Sequence, residues 1–236
     1  MAYTSYDQFL TEIRQYAHAA PPIMIRTHIR NAIINFCERT FILKQDPSSF
    51  YLDEDEHTYT LKFSGDRYIA IAVKDIQLGE GVEGQSIAET TQHFLDNTVR
   101  GWRTHEAKTP NAYMLTDDTN KIRFYPTPNA DSDEEIFVTC AVRPARAETE
   151  VDSFIYEKWE ETIQAGALAN LLSIPESSWY NKALAAQMAA EYKRGVRRAR
   201  KTTTVGTTEM PGQVVPQNFI TIGTSNNSNG RGISWD

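Results

Sequence analysis

Cysteine, long apolar runs and catalytic spacings are what this chain has least of. Its two cysteines, Cys37 and Cys140, lie far apart, one in a helix-like run and one in a strand-like run. Buried free thiols are the expected state, with a disulfide or a metal pair as the alternatives. No apolar run approaches the roughly 20 residues that span a bilayer. The opening MAYTSYDQF has no basic region followed by an apolar one, so the chain is expected to be cytosolic when made, with no membrane partner. The five histidines, His18, His28, His57, His93 and His105, keep no metal-ligand spacing, and none pairs with a cysteine at a zinc interval. GEGVEG at Gly79 to Gly84 lacks the Lys-Ser/Thr of a phosphate loop and carries two carboxylates that would repel phosphate. Asp53 to Glu56, followed by His57, lacks the Gly and the distal Glu of a calcium loop and reads as a solvated acidic loop. There is no Gly-x-Ser-x-Gly elbow and no convincing Ser/His/Asp or Cys/His set. The expectation is a protein that is not an enzyme and uses no cofactor and no metal.

What is present is an ordinary soluble composition, 40% hydrophobic and 23% charged over 236 residues, enough for one large or two small cores. Acidic residues outnumber basic ones, 31 to 24, giving a net charge of −7. That balance argues against a general nucleic-acid coat, although an acidic total can hide a local basic face.

The stretch from Asp152 to Lys201 has the clearest pattern. Ile155, Trp159, Ile163, Gly166, Ala167, Asn170 and Leu171 recur at helical spacing. Asp152 or Ser153 can cap the start, and Pro175 stops the run. Leu184, Met188, Tyr192, Val196 and Ala199 then form a second stripe, with Ala183, Ala186, Ala189 and Ala190 beside it to permit close helix approach. A short turn between them makes a helical hairpin. The second helix ends in Lys193, Arg194, Arg197, Arg198, Arg200 and Lys201, six cations in nine residues, which suits the negative end of a helix dipole.

Trp159 followed by GALANLL, the break at Pro175, the pair Trp179 and Tyr180, an Ala-rich helix and a final GVRRAR together resemble the C-terminal half of head-to-tail adaptor (connector) proteins of tailed bacteriophages. The region from Pro110 to Pro144 is similar too, with P-x-x-Y, then KIRFYPTP, then a strand ending in Arg-Pro. The resemblance covers about residues 5 to 201, and its motifs are packing motifs. It implies a structural virion protein at the head-tail interface, present in the host cytoplasm during assembly. Such a protein forms a homo-oligomeric ring, typically of twelve copies, that joins the portal protein to a downstream tail or nozzle protein. Genomic DNA would pass through the channel without specific binding.

Read in order, Ser5 to Ala19 places Phe9, Leu10, Ile13, Tyr16 and Ala17 on one helical face, with Ser5 and Gln8 in capping-box positions. Pro22 suits the first position of a second helix, in which Ile25, Ile29, Ala32, Ile33, Phe36 and Cys37 are spaced for burial as far as about Thr40. The period then changes. Strands are expected at Phe41 to Leu43, Ser49 to Leu52, Thr58 to Phe63, Tyr68 to Val73, Ala112 to Leu115, Lys121 to Tyr125 and Glu135 to Val142. The third of these alternates Tyr59, Leu61 and Phe63 with polar residues. Asp75 to Gln85 reads as a loop, Gln92 to Trp102 has no clear pattern, with His93 to Leu95 either a short helix or a loop segment, and Asp117 to Asn120 reads as a turn.

The fold class expected is therefore α+β: a four-helix bundle of two N-terminal and two C-terminal helices, a β-rich insertion whose ends lie close together, and an extended C-terminal arm. The corresponding boundaries are 1–40, 41–144, 145–201 and 202–236. The arm is rich in Thr, Gly, Asn and Ser and has no core of its own. Val214-Val215, Phe219 to Ile222 and Ile233 to Trp235 are apolar beads along it, the composition of a segment that orders on a partner. Fully extended, 203–236 would reach about 110 Å; as a coil its ends average roughly 30 Å apart.

Three readings of the basic helix end stand at this level: contact with a partner protein, a solvated face, or phosphate neutralisation on nucleic acid. With the resemblance, the portal-binding residues expected are Arg194, Arg197, Arg198, Arg200 and Lys201, then Phe219, Ile220, Ile222 and Trp235. A nucleic-acid-binding module using the basic helix end, or another tail or baseplate structural protein, are the rival functions.

Overall fold

A computed structural model describes residues 2–54, 56–79, 85–116, 118, 120–130 and 135–205. Among these the helices are α1 (Leu10–Tyr16), α2 (Pro22–Thr40), α3 (Gln92–Thr98), α4 (Ser153–Leu171) and α5 (Lys182–Val205). None of them is long and apolar enough to cross a membrane.

Pro22 occupies the first helical position of α2, where its missing N–H costs nothing. Ile25, Ile29, Ala32, Ile33, Phe36 and Cys37 are all buried along the face the periodicity marked. That face meets α4, with Phe36 and Trp159 ring centroids 5.5 Å apart. α5 packs against both α4 and α2, and its Tyr192 makes the contact with α2: the phenol donates to Asn35 Oδ1 at 3.0 Å and approaches the Ala32 carbonyl at 3.3 Å. Burial raises that phenol well above its ordinary value.

A four-helix bundle is not what forms. Ser5 caps a 3-10 turn at Tyr6–Phe9 by accepting from the Asp7 N–H, and only seven residues of α-helix follow. At 1.5 Å per residue α1 is about 10 Å long, against about 28 Å for α2 and α4, so it covers part of a three-helix layer. Tyr16 is left half exposed, while Phe9 meets Tyr156 of α4 edge-on at 5.0 Å. The fifth helix, α3, lies within the insertion, capped by the Thr91 hydroxyl on the Phe94 N–H. The α+β class stands; the count and the bundle do not.

The strands are β1 (Tyr3–Ser5), β2 (Lys44–Gln45), β3 (Phe50–Tyr51), β4 (Thr58–Thr60), β5 (Tyr68–Leu78), β6 (Gln85–Ser86), β7 (Ala88–Glu89), β8 (Glu106–Ala107), β9 (Ala112–Leu115), β10 (Lys121–Tyr125), β11 (Thr127–Pro128), β12 (Glu135–Pro144) and β13 (Glu150–Asp152). The central ladder is β5 against β12, antiparallel from Ile136↔Leu78 to Pro144↔Tyr68 with two bulges. β2 and β3 add to the other edge of β12, and β6 to β5. A second sheet runs β4-β10-β9-β7. Because β2 pairs with β12, the chain leaves α2 and returns toward α4 along neighbouring strands, so the two ends of the insertion meet.

Several boundaries differ from expectation. Phe41 to Leu43 forms no strand, because Phe41 ends α2 in the left-handed region (φ 52°), with its N–H on the Cys37 carbonyl. Asp75 to Leu78 is strand, not loop, since Ile76 and Leu78 turn inward and pair across to Val138 and Ile136. The turn comes at Gly79, φ 78°. The remainder of GEGVEG, Asp55 of the acidic run, and Asp117 and Thr119 of the expected turn lie outside the described residues.

Asp152 does not cap α4. Its buried carboxylate accepts from the Tyr68 phenol at 2.8 Å and from Gln45 Nε2 at 3.4 Å. β1 pairs with β13 through Tyr3↔Asp152 and Ser5↔Glu150, which ties the N-terminal residues to the start of α4. Arg67 binds Glu148 and Glu150 and covers the Tyr3 ring at 4.2 Å. Both cysteines are buried and free.

Candidate helix-end interface

The basic residues sit on α5, and the way α5 is seated decides which of them face outward. At its N-terminus the Asn181 side chain accepts from the Leu184 N–H at 3.0 Å. Close approach to α4 comes from glycines rather than from the alanines expected to allow it. Ala183, Ala186 and Ala190 are exposed. Gly195 lies on Thr162, and Gly166 of α4 receives the Tyr192 ring. Val196 and Ala199 complete the buried stripe.

With Gly195 and Ala199 inward, helical geometry sends Arg197 and Lys201 to the side away from α4, while Arg194 and Arg198 flank the α4–α5 seam; the four recur at i, i+3, i+4 and i+7. Arg200 stands at the flank of that stripe. All five are exposed, and among the described residues none forms an ion pair. Arg198 is set apart by a second contact: its guanidinium lies 5.3 Å from the centre of the Trp159 ring, which Lys158 also approaches at 5.9 Å. Arg194 and Arg198 border a shallow groove with Glu161, Thr162 and Glu191. The arrangement sets four exposed cations along α5, two of them bordering the carboxylates of Glu161 and Glu191.

The helix does not stop at Lys201. Thr202, Thr203 and Thr204 continue it, each hydroxyl donating to the carbonyl four residues back, on Arg198, Ala199 and Arg200 respectively, at 3.0–3.1 Å. Three consecutive threonines read as non-helical in sequence, but back-bonding of this kind gives the hydroxyls local partners within a helix. The extra turn carries the basic stripe away from the point where the chain leaves the described residues. Phe219, Ile220, Ile222 and Trp235, with the other apolar beads of the arm, lie outside those residues.

Sequence reasoning assigned no role to Trp102, Arg103 and Arg123. The structure gathers them at a small satellite core of Leu95, Trp102 and Met114. The signal in the sequence was the alternation of KIRFY, which puts Arg123 and Tyr125 on the face opposite Ile122 and Phe124.

Residues 4–216 match the family model described as SU10 adaptor protein. No curated protein matches the chain.

Proposed function

The chain belongs to the SU10 adaptor protein family, and from that premise we propose that it is a structural component of a bacteriophage virion, joining the portal to the tail. In this reading copies pack side by side into a ring, typically of twelve, around the channel through which the genome enters and is ejected. A closed ring of this kind needs two different, complementary faces on each subunit. The helical layer supplies the walls, the insertion faces the next tail component, and the end of α5 with the arm beyond it docks on the portal. No bond is made or broken.

The observation that carries the docking assignment is the stripe Arg194, Arg197, Arg198 and Lys201, with Arg200 beside it, exposed on α5 and without ion-pair partners among the described residues. Cations held in a rigid row and left without internal partners suit carboxylates on a complementary protein surface. The arm would extend that contact through Phe219, Ile220, Ile222 and Trp235, the first three having the composition of a strand added to a partner's sheet edge. The net charge of −7 favours a protein partner over DNA, because an acidic wall keeps a passing polyanion from sticking.

Native mass measurement tests this, on the full-length chain and on a version ending at Val205, which keeps all of α5. Each is measured alone and mixed with the cognate portal ring. A stoichiometric ring formed on the portal by the full-length chain and weakened without the arm supports the adaptor reading. A chain that ignores intact portal and shifts only with DNA overturns it and makes the basic helix a nucleic-acid site.

A further inference from the structure

We propose that Arg123 and Arg103, held against the indole of Trp102, form a receiving site for a carboxylate carried by an acidic segment of a partner protein. The site belongs to the insertion and shares no residue with the basic stripe of α5.

Strand alternation builds it. Along β10, Ile122 and Phe124 turn into the main core, while Arg123 and Tyr125 face the satellite core, with Arg123 opposite Met114 of β9. Trp102 is 3% exposed. Its indole N–H donates to Asp96 Oδ1 at 2.9 Å, and Arg103 Nη1 binds the same oxygen at 2.7 Å. The Arg103 guanidinium lies 4.4 Å from the Trp102 ring centre and that of Arg123 lies 4.7 Å from it. His105 and the Tyr125 hydroxyl, 3.2 Å apart, stand beside this group.

Among the described residues the charges here do not balance. Asp96 is engaged by Arg103 and Trp102, and among the described residues Arg123 has no carboxylate. Its buried Nε has no hydrogen-bond partner there. Desolvation, then repulsion from Arg103, holds the Arg123 guanidinium below its ordinary value. A buried donor without a partner is uncommon in folded proteins, and an apolar side chain would cover the indole without the repulsion. A guanidinium braced on an aromatic ring keeps its in-plane donors in a fixed fork that matches a planar carboxylate.

A protein carboxylate fits better than a phosphodiester strand. The site is a single braced position rather than a row of cations spaced for successive phosphates. That the partner is another virion protein rests on the adaptor reading; the chemistry of the site does not.

The test uses the full-length chain. The Arg123 Nε–H resonance, assigned by its disappearance in Arg123→Lys, is followed by NMR while a hexaglutamate peptide is added at constant ionic strength. The expected result is a saturable shift at Arg123 and Arg103, with Arg26, already paired with Asp7 at the surface, unmoved. Arg123→Gln should weaken the peptide by about tenfold, as loss of a charged hydrogen bond implies. An Arg123 signal that stays still, or moves no more than that of Arg26, overturns the site. Tighter binding of a short oligothymidylate than of the peptide overturns the choice of an acidic protein. Arg123→Met, which preserves the packing, is then assembled with portal and tail. Loss of tail joining supports a virion partner; unchanged assembly alongside peptide binding in the parent chain overturns the partner while leaving the site.

Discussion

Gly195 of α5 faces Thr162 of α4 with no space between them for a β-carbon, since one placed there would overlap the Thr162 side chain. Thr162 is itself buried, and this contact sets the distance between α4 and the helix that carries the basic stripe.

Gly195→Ala is therefore expected to destabilise the protein. Alanine gains up to about 1 kcal/mol over glycine in a helix interior, but overpacking a filled site costs about 1–3 kcal/mol. The expected net loss, read from urea denaturation followed by circular dichroism, should be partly recovered in Gly195→Ala/Thr162→Ala. A more stable single variant would show that the helices separate freely.

Tyr68 holds the carboxylate of Asp152, both of them buried. Tyr68→Phe removes the shorter of that carboxylate's two side-chain donors and should cost about 1–3 kcal/mol. The loss should also speed hydrogen exchange in Tyr3–Ser5, because β1 is paired to the strand that ends at Asp152. Exchange unchanged in β1 would separate the two features.

High pH should unfold the protein from within. Burial pushes the Cys140 thiol up from 9.0 to about 12, and the Tyr59 and Tyr113 phenols from 10.0 to about 12. Cys37, Tyr6 and Tyr192 are raised further in the same direction, also chiefly by burial. Tyr192 belongs with them because its ring lies on Gly166 of α4 while its hydroxyl is held by Asn35 of α2. Each group's folded value lies above its unfolded one, so the stability it contributes is whole below about pH 9 and is lost as pH rises toward about 12. A denaturation midpoint that falls across that window, with neither thiol reacting with a disulfide reagent at about pH 8 in the native state, is the expected outcome. A flat profile would contradict the burial of these groups.

The basic stripe should divide by function. Arg197→Glu and Lys201→Glu, both exposed and away from the groove on α4, should alter stability by less than about 0.5 kcal/mol. Under the adaptor reading they abolish docking on the portal. Arg198→Ala should cost about 0.5–1 kcal/mol on its own account, because it also removes the contact with the Trp159 ring. Equal, small effects of all three on both stability and docking would reduce the stripe to a solvated face.

Helical periodicity and strand alternation determined much of this protein without help. The apolar faces of α2 and α4 and the strand at Lys121 to Tyr125 follow from residue type and interval alone, because each depends on neighbours a few positions away. The six cations at the end of α5 were legible in the same way. Tertiary structure decided the rest. That α1 stops after seven residues, that α3 forms inside the insertion, and that β5 runs on to Leu78 depend on partners far along the chain. The same holds for Asp152, drawn from helix capping to Tyr68, and for Arg198, distinguished from its neighbours only by Trp159 of another helix. Local spacing carries information about one element's own face; what that face meets is set by distant residues, which no interval within the element encodes.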